Sequence, residues 1–267
     1  MNEERTIVKA KLDVIFKLIF ADKNNSDLLK SFISDVLDIP YESIHGIVIE
    51  NSEITPTEID GKFTRLDLQL TTDKELINVE VQINNHESFA ERCLYYWAQR
   101  YGTQLKKGEG YYDIKSTISI NIVDFIMFDT DSYCSTYTMA DLEHNKILTD
   151  KCAIHFFELP KLDKIVDASD RKKLWMQLIN SESEEELDML SQTQIPAIEN
   201  GVDVIFRLSD EKDVRDMARR REERLREEIS IISSARRQGK AEGRAEIIEK
   251  MRASGLSEEM IISIIEK

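Results

Sequence analysis

Two neighbouring runs, Thr64 to Thr71 and Glu75 to Ile83, alternate apolar and polar residues without a break, with Leu66, Leu68 and Leu70 in the first and Ile77, Val79, Val81 and Ile83 in the second. A period of two puts each apolar set on one face of a pleated strand, and no helix satisfies it. Only Thr72, Asp73 and Lys74 separate the runs, so they form an antiparallel hairpin. A two-residue turn at Asp73-Lys74, or a four-residue one over Thr72 to Glu75, pairs residues whose numbers sum to 147. Asp67 then stands opposite Glu80, with Gln82, Asn78 and Gln69 extending a polar row on the same face.

Opposed side chains on one face lie about 4.5–5.5 Å apart at Cβ, so two carboxylates there repel unless something compensates them. A hard divalent cation such as Mg²⁺ or Mn²⁺ prefers carboxylate oxygens and can bridge to phosphates. Alternation alone suits equally well the wet outer face of an ordinary hairpin. The flanking segments argue for a covered face, and a covered acidic pair needs a ligand. From Lys9 to Leu37 the apolar positions fall at helical spacing in two blocks: Leu12, Ile15, Phe16, Ile19 and Phe20, then Leu28, Leu29, Phe32, Ile33, Val36 and Leu37. The second helix starts at an Asn25 or Ser26 cap and stops before Pro40. His86 to Lys107 is helical again, with Phe89, Cys93, Trp97, Tyr101 and Leu105 at steps of four, closed by Gly108 and Gly110.

Further strands are expected at Gly46 to Ile54, over a long or bent run from Ile114 to Phe128, at Tyr133 to Ala140 and at Ala153 to Leu159. Strands and helices in this order predict an α/β fold, a mixed central sheet flanked by helices. After Pro160 the residues turn to helix formers, and from Ile195 onward strand signals almost vanish. The domain expectation is therefore 1–194 for the α/β unit and 195–267 for a helical C-terminal extension. In that extension Arg215, Arg219, Arg220, Arg221, Arg224 and Arg226 are interleaved with acids, the pattern of a solvated helix face or of a partner contact. Gly239 and Gly243 interrupt its helical period, and Gly255-Leu256-Ser257 ends one helix and caps the next.

A net charge of −15 argues against coating nucleic acid by bulk electrostatics, although a few basic residues and metal ions can still line a local site. Cys93, Cys134 and Cys152 are too few and too scattered for a disulfide framework or a metal finger. The first residues are polar, and nowhere do the roughly 18 consecutive apolar residues of a membrane helix occur. A cytoplasmic protein without membrane contact is expected. His45, His86, His144 and His155 show no ligand spacing, and no glycine-rich phosphate loop is present.

Several ordered blocks resemble the Rpn family of recombination-promoting nucleases, often labelled transposases, within the PD-(D/E)XK superfamily. They are Asp13-Val14-Ile15-Phe16-Lys17-Leu18-Ile19-Phe20, Leu66-Asp67-Leu68, Asn78-Val79-Glu80-Val81-Gln82, Glu91-Arg92-Cys93-Leu94-Tyr95-Tyr96-Trp97 and Ile118-Ser119-Ile120-Asn121-Ile122, spread over residues 9 to 160. The resemblance implies a restriction-endonuclease-like core and Mg²⁺-dependent (or Mn²⁺-dependent) endonucleolytic cleavage of DNA in recombination or mobile-element processing. It makes Asp67 and Glu80 the metal ligands, and Asp67, Glu80 and Gln82 the catalytic set. Gln82 stands where the superfamily usually has Lys, a departure that the Rpn family itself commonly shows. A Lys supplies positive charge to the transition state, whereas a Gln only positions water.

Asp13 is a candidate outer-shell metal contact or a helix cap, and Lys17 and Arg92 are candidate phosphate contacts or salt-bridge partners. Cutting both strands calls for two sites, hence a homodimer. The alternative expectation is a catalytically inactive protein that keeps the nuclease fold and binds protein or DNA, as the acidic balance and the missing Lys suggest.

Overall fold

The computed structural model describes residues 5–50, 68–85 and 88–265. Asp67, and with it the expected start of the first hairpin strand, lies outside the described residues. The chain divides into two compact units, Met1–Glu222 and Glu223–Lys267.

The first unit begins with α1 (Asp13–Phe20), whose sequence DVIFKLIF buries every residue but Leu18. A helix apolar on nearly all sides belongs inside a protein, and α1 packs against α2 (Ser26–Leu37) and against the sheet. Phe20 and Phe32 of these helices pack on Trp175, with Phe16 behind them, and the Trp175 indole Nε1 donates to Asp35 Oδ2 at 2.7 Å. Asp38 closes α2 in the left-handed region two residues before Pro40, matching the expected stop.

Among the described residues eight strands follow: β1 (Val48–Ile49), β2 (Leu68–Thr71), β3 (Glu75–Gln82), β4 (Ser116–Val123), β5 (Cys134–Tyr137), β6 (Ala140–Asp141), β7 (Lys146–Ile147) and β8 (Cys152–Glu158). Six of them form one sheet in the order β1-β2-β3-β4-β8-β5, and β6 and β7 pair by themselves. The outer pairs β1/β2, β2/β3 and β5/β8 are antiparallel, whereas β3, β4 and β8 run parallel. This is the expected mixed sheet flanked by helices. The observed pairs Leu68↔Val79, Gln69↔Asn78, Leu70↔Ile77 and Thr71↔Leu76 carry the predicted register.

Three spans differ from expectation. The helix after the hairpin, α3, covers Phe89–Gly102 and ends before Leu105. Beyond it the Gln104 amide bonds the backbone N–H and C=O of Lys115, and Thr117 Oγ1, turning the chain into β4. The run to Phe128 stops being a strand at Val123, because the buried Glu158 carboxylate captures the N–H groups of Met127 and Phe128. The run expected through Ala140 divides between β5 and the small β6/β7 pair.

Sheet alternation sorts the two faces. Leu68, Leu70, Ile77, Val79, Ile120, Ile122 and Phe157 form one face, each fully buried. The other face is split. Val123, Cys152, Ile154 and Phe156 pack under Phe89, Cys93 and Trp97 of α3, while Gln69, Asn78, Glu80, Gln82, Ser119 and Asn121 form a polar strip beside them. Helices α4 (Arg171–Asn180), α5 (Glu184–Ser191) and α6 (Pro196–Asp210) complete the helical layer that includes α2. Then comes α7 (Lys212–Ala253), where Arg221 makes a two-point pair with the buried Asp13 carboxylate: Nε to Oδ1 at 2.8 Å and Nη2 to Oδ2 at 2.6 Å.

In the second unit Gly255, at φ +81°, ends α7 with the N–H of Leu256 on Met251 O, and Ser257 Oγ accepts from the Met260 N–H to start α8 (Glu258–Ile265). The glycine and serine read as a stop and a cap do those jobs.

His155, on β8, shares a hydrogen bond with Thr136 through Nδ1, and burial with the nearby Lys172 charge lowers its pKa to about 4. An unfolded histidine titrates near 6.5, so the neutral form favours folding above that pH, and this contribution is lost as pH falls toward 4. Between those values the wild type should lose stability more steeply than His155→Gln, by up to about 1.4 kcal/mol per pH unit. Urea unfolding at pH 5 and 7 measures the difference, and parallel curves would refute it.

Candidate active site

The polar strip lies where β2, β3 and β4 meet under α3. In parallel pairing, partners share a face, so Glu80 lies beside Asn121 and Asn78 beside Ser119. Glu80 is 4% exposed and Asn121 fully buried. Asn121 Oδ1 accepts from Cys93 Sγ and Ser119 Oγ, each at 3.3 Å, and its Nδ2 donates to the His155 carbonyl at 3.0 Å. That amide fixes the floor of the strip between β4 and α3.

From the helix side, Arg92, Tyr96 and Arg100 lie at steps of four along α3, next to the Phe89-Cys93-Trp97 stripe. Arg92 Nη2 donates to Glu80 Oε1 at 3.1 Å and to Gln82 Oε1 at 3.2 Å. Gln82 completes its amide by donating Nε2 to the Asn84 carbonyl at 3.0 Å. Two turns further on, Arg100 reaches Gln69 Oε1, the Leu70 carbonyl and both oxygens of Glu50. Burial tends to raise the Glu50 pKa, but the Thr71 hydroxyl and Arg100 outweigh it and hold the carboxyl below its usual value. Beside Arg100 a cavity of about 400 Å³ opens, lined among others by Asn78, Glu80, Tyr96, Trp97 and Ser119.

The structure brings Glu80, Gln82 and Arg92 into contact. Asp67 lies outside the described residues. Asp13 is the first residue of α1 rather than its cap, and its described charge partner is Arg221. Lys17, one turn along, is 1% exposed. Arg100, Glu50 and Asn121 were not singled out from the sequence. The four-residue step from Arg92 through Tyr96 was the available signal for Arg100, and the polar Asn inside the apolar Ile118–Val123 run was the signal for Asn121.

Among the described residues no group of three His, Cys, Asp or Glu stands ready around one point. The donor set nevertheless suits a hard cation. A buried carboxylate oxygen and an amide oxygen both turn toward one positively charged nitrogen, which marks a spot where positive charge is favoured and where the ligands are oxygens.

A family model for PD-(D/E)XK nuclease family transposases matches residues 10–235. The chain belongs to this family. No curated protein and no solved structure matches it. The mixed sheet flanked by helices is consistent with the PD-(D/E)XK fold, and membership implies a nuclease- or transposase-related function. No helix among the described residues is long and apolar enough to cross a membrane.

The shared face makes a specific demand. Asn121→Asp sets a second buried carboxylate beside Glu80, so the ionised form is disfavoured in the folded protein and the new pKa rises above about 3.9. The variant's penalty relative to wild type should therefore grow from pH 5 to pH 8, reaching about 3 kcal/mol in urea unfolding. An Asn121→Asp penalty that does not change with pH would mean that residue 121 does not share an environment with Glu80.

Proposed function

We propose that the chain is a divalent-metal-dependent DNA endonuclease in which Asp67, Glu80 and Gln82 form the reactive centre, with Mg²⁺ or Mn²⁺ as cofactor. The observation that carries this reading is the convergence of Glu80 Oε1 and Gln82 Oε1 on a single cationic nitrogen, inside a covered polar strip of a PD-(D/E)XK family member. In the sequence-derived register, where paired numbers sum to 147, Asp67 is expected opposite Glu80. Asp67 and Glu80 would hold the ion.

When bound, such an ion polarises the scissile phosphate and lowers the pKa of a water. The chain's own residues supply position. Gln82 is neutral, so its contribution is to accept a hydrogen bond from the attacking water and hold it in line. Glu80 lies beside the buried Asn121 on the same sheet face, and its carboxylate accepts from Arg92 Nη2. Arg92 and Arg100 on the overlying helix are the cations closest to hand for substrate phosphates, and a guanidinium fork suits two phosphate oxygens. Cleavage of both strands calls for two such sites, so a homodimer acting on DNA is part of the reading.

A catalytically inactive protein- or DNA-binding module is the second reading, favoured by the net charge of −15 and by Gln82 in the usual Lys position. Failure to take up Mn²⁺, alone or with DNA, would favour it.

On supercoiled plasmid with Mg²⁺, Asp67→Asn and Glu80→Gln should each lower cleavage by more than about 10³-fold, and Gln82→Ala by about 10²-fold. Both carboxylate variants should keep the wild-type circular dichroism spectrum. Undiminished nicking by purified Glu80→Gln protein removes Glu80 from the chemistry and the reading with it.

A further inference from the structure

Arg92 differs from Arg221 and Arg100 of the first unit in how it is held. Arg221 engages Asp13 through both Nε and Nη2, and Arg100 uses Nη1 and Nη2 on three residues. Arg92 is held through Nη2 alone. Its Nε is buried without a hydrogen bond among the described residues, as are Arg100 Nε and Arg221 Nη1, so the difference lies in the single nitrogen that holds it. The guanidinium carbon lies 4.7 Å from the centre of the Phe89 ring, and the side chain keeps 26% of its surface exposed at the edge of the strip. An arginine that serves as a strut is tied at several nitrogens, and this one is tied where a single exchange frees it.

We propose that Arg92 is a built-in counter-cation, holding the Glu80 and Gln82 oxygens until a divalent ion arrives, and that the guanidinium so released becomes a contact for the substrate phosphate. The inference rests on the metal reading given above. A divalent ion held by the Glu80 carboxylate would sit close to the Arg92 guanidinium that now bonds Oε1, and repulsion between the two cations disfavours keeping both there. Before the exchange Arg92 compensates a carboxylate that is 4% exposed and costly to leave alone. After it, Gln82 Oε1 is free to accept from the attacking water, and Arg92 is free to turn its fork outward. Metal arrival, water positioning and phosphate contact become one event. The arrangement also keeps the oxygens from forming a strong site for stray monovalent cations.

Isothermal calorimetry with Mn²⁺ on the full-length wild type, Arg92→Met, Arg92→Lys and Glu80→Gln tests this. Arg92→Met should bind Mn²⁺ about tenfold more tightly than wild type, while its plasmid cleavage at saturating Mn²⁺ falls. Arg92→Lys keeps a positive charge and should stay within about threefold of wild type. Should Arg92→Met not fold, Arg92→Gln retains a donor to Glu80 without the charge and carries the same expectation. Equal or weaker Mn²⁺ affinity in the neutral variants, with Glu80→Gln still abolishing uptake, overturns the exchange and leaves the metal reading standing. No Mn²⁺ uptake by wild type or by any variant overturns both, and tighter binding without loss of cleavage overturns the phosphate contact.

Discussion

Burying a carboxylate under a helix requires a positive charge at the same place, and the Glu80–Arg92 contact meets that requirement at 3.1 Å. The structure around it is arranged to hold the two ends. β3 lies between an antiparallel neighbour and a parallel one, so its backbone cannot shift register without moving its whole apolar face out of the core. α3 is fixed over the strip by Phe89, Cys93 and Trp97, and Trp97 adds a hydrogen bond from Nε1 to the Thr117 carbonyl at 2.7 Å. With helix and strand both fixed, the arginine one residue before Cys93 has little choice but to meet the acid beneath it.

The asymmetry of the sheet explains why the polar strip survives inside the fold. One face is apolar over β2, β3 and β4 and carries most of the core, with His155 and Thr136 at its β8/β5 edge. The helix α1, buried on nearly every side, is the clearest sign of how much burial is available there. At about 25 cal/mol per Å² of apolar surface, that side of the sheet can offset a costly polar arrangement on the other. The second face is apolar only toward β8, where α3 packs, and polar toward β2 and β3. The site thus lies on the polar part of the second face, away from the apolar face on which α1 packs.

What the sequence disclosed follows the range of the interactions. The hairpin register was legible because a turn of fixed length and a period of two leave no freedom, and α1 and α2 were legible because their apolar spacing is local. The Arg221–Asp13 pair spans 208 positions, and no local pattern announces it. Arg215 to Arg226 looked alike in sequence, yet Arg221 is 4% exposed and the side chain of Arg219 is 68% exposed. Likewise the end of β4 is decided by Glu158, a residue 35 positions beyond Val123, which takes the amides a longer ladder would have used. Glu80 and Gln82 were found because strand alternation aligns them. Glu50 and Arg100 were missed because their meeting needs the sheet and the helix together.

The same pairing answers the objection raised by a net charge of −15. A surface that attracts DNA by bulk charge would need excess Lys and Arg, and the arginines facing this strip are already matched to Glu80 and Glu50. In that state the strip presents no net positive field to a phosphate. On the reading proposed above, a divalent ion at Glu80 adds its own charge and lets the guanidinium already there turn toward the phosphate. An acidic protein organised in this way gains its attraction for the phosphate backbone only where and when the ion is bound. Overall charge then limits non-specific association, while the chemistry is left to a site whose positive charge is assembled on demand.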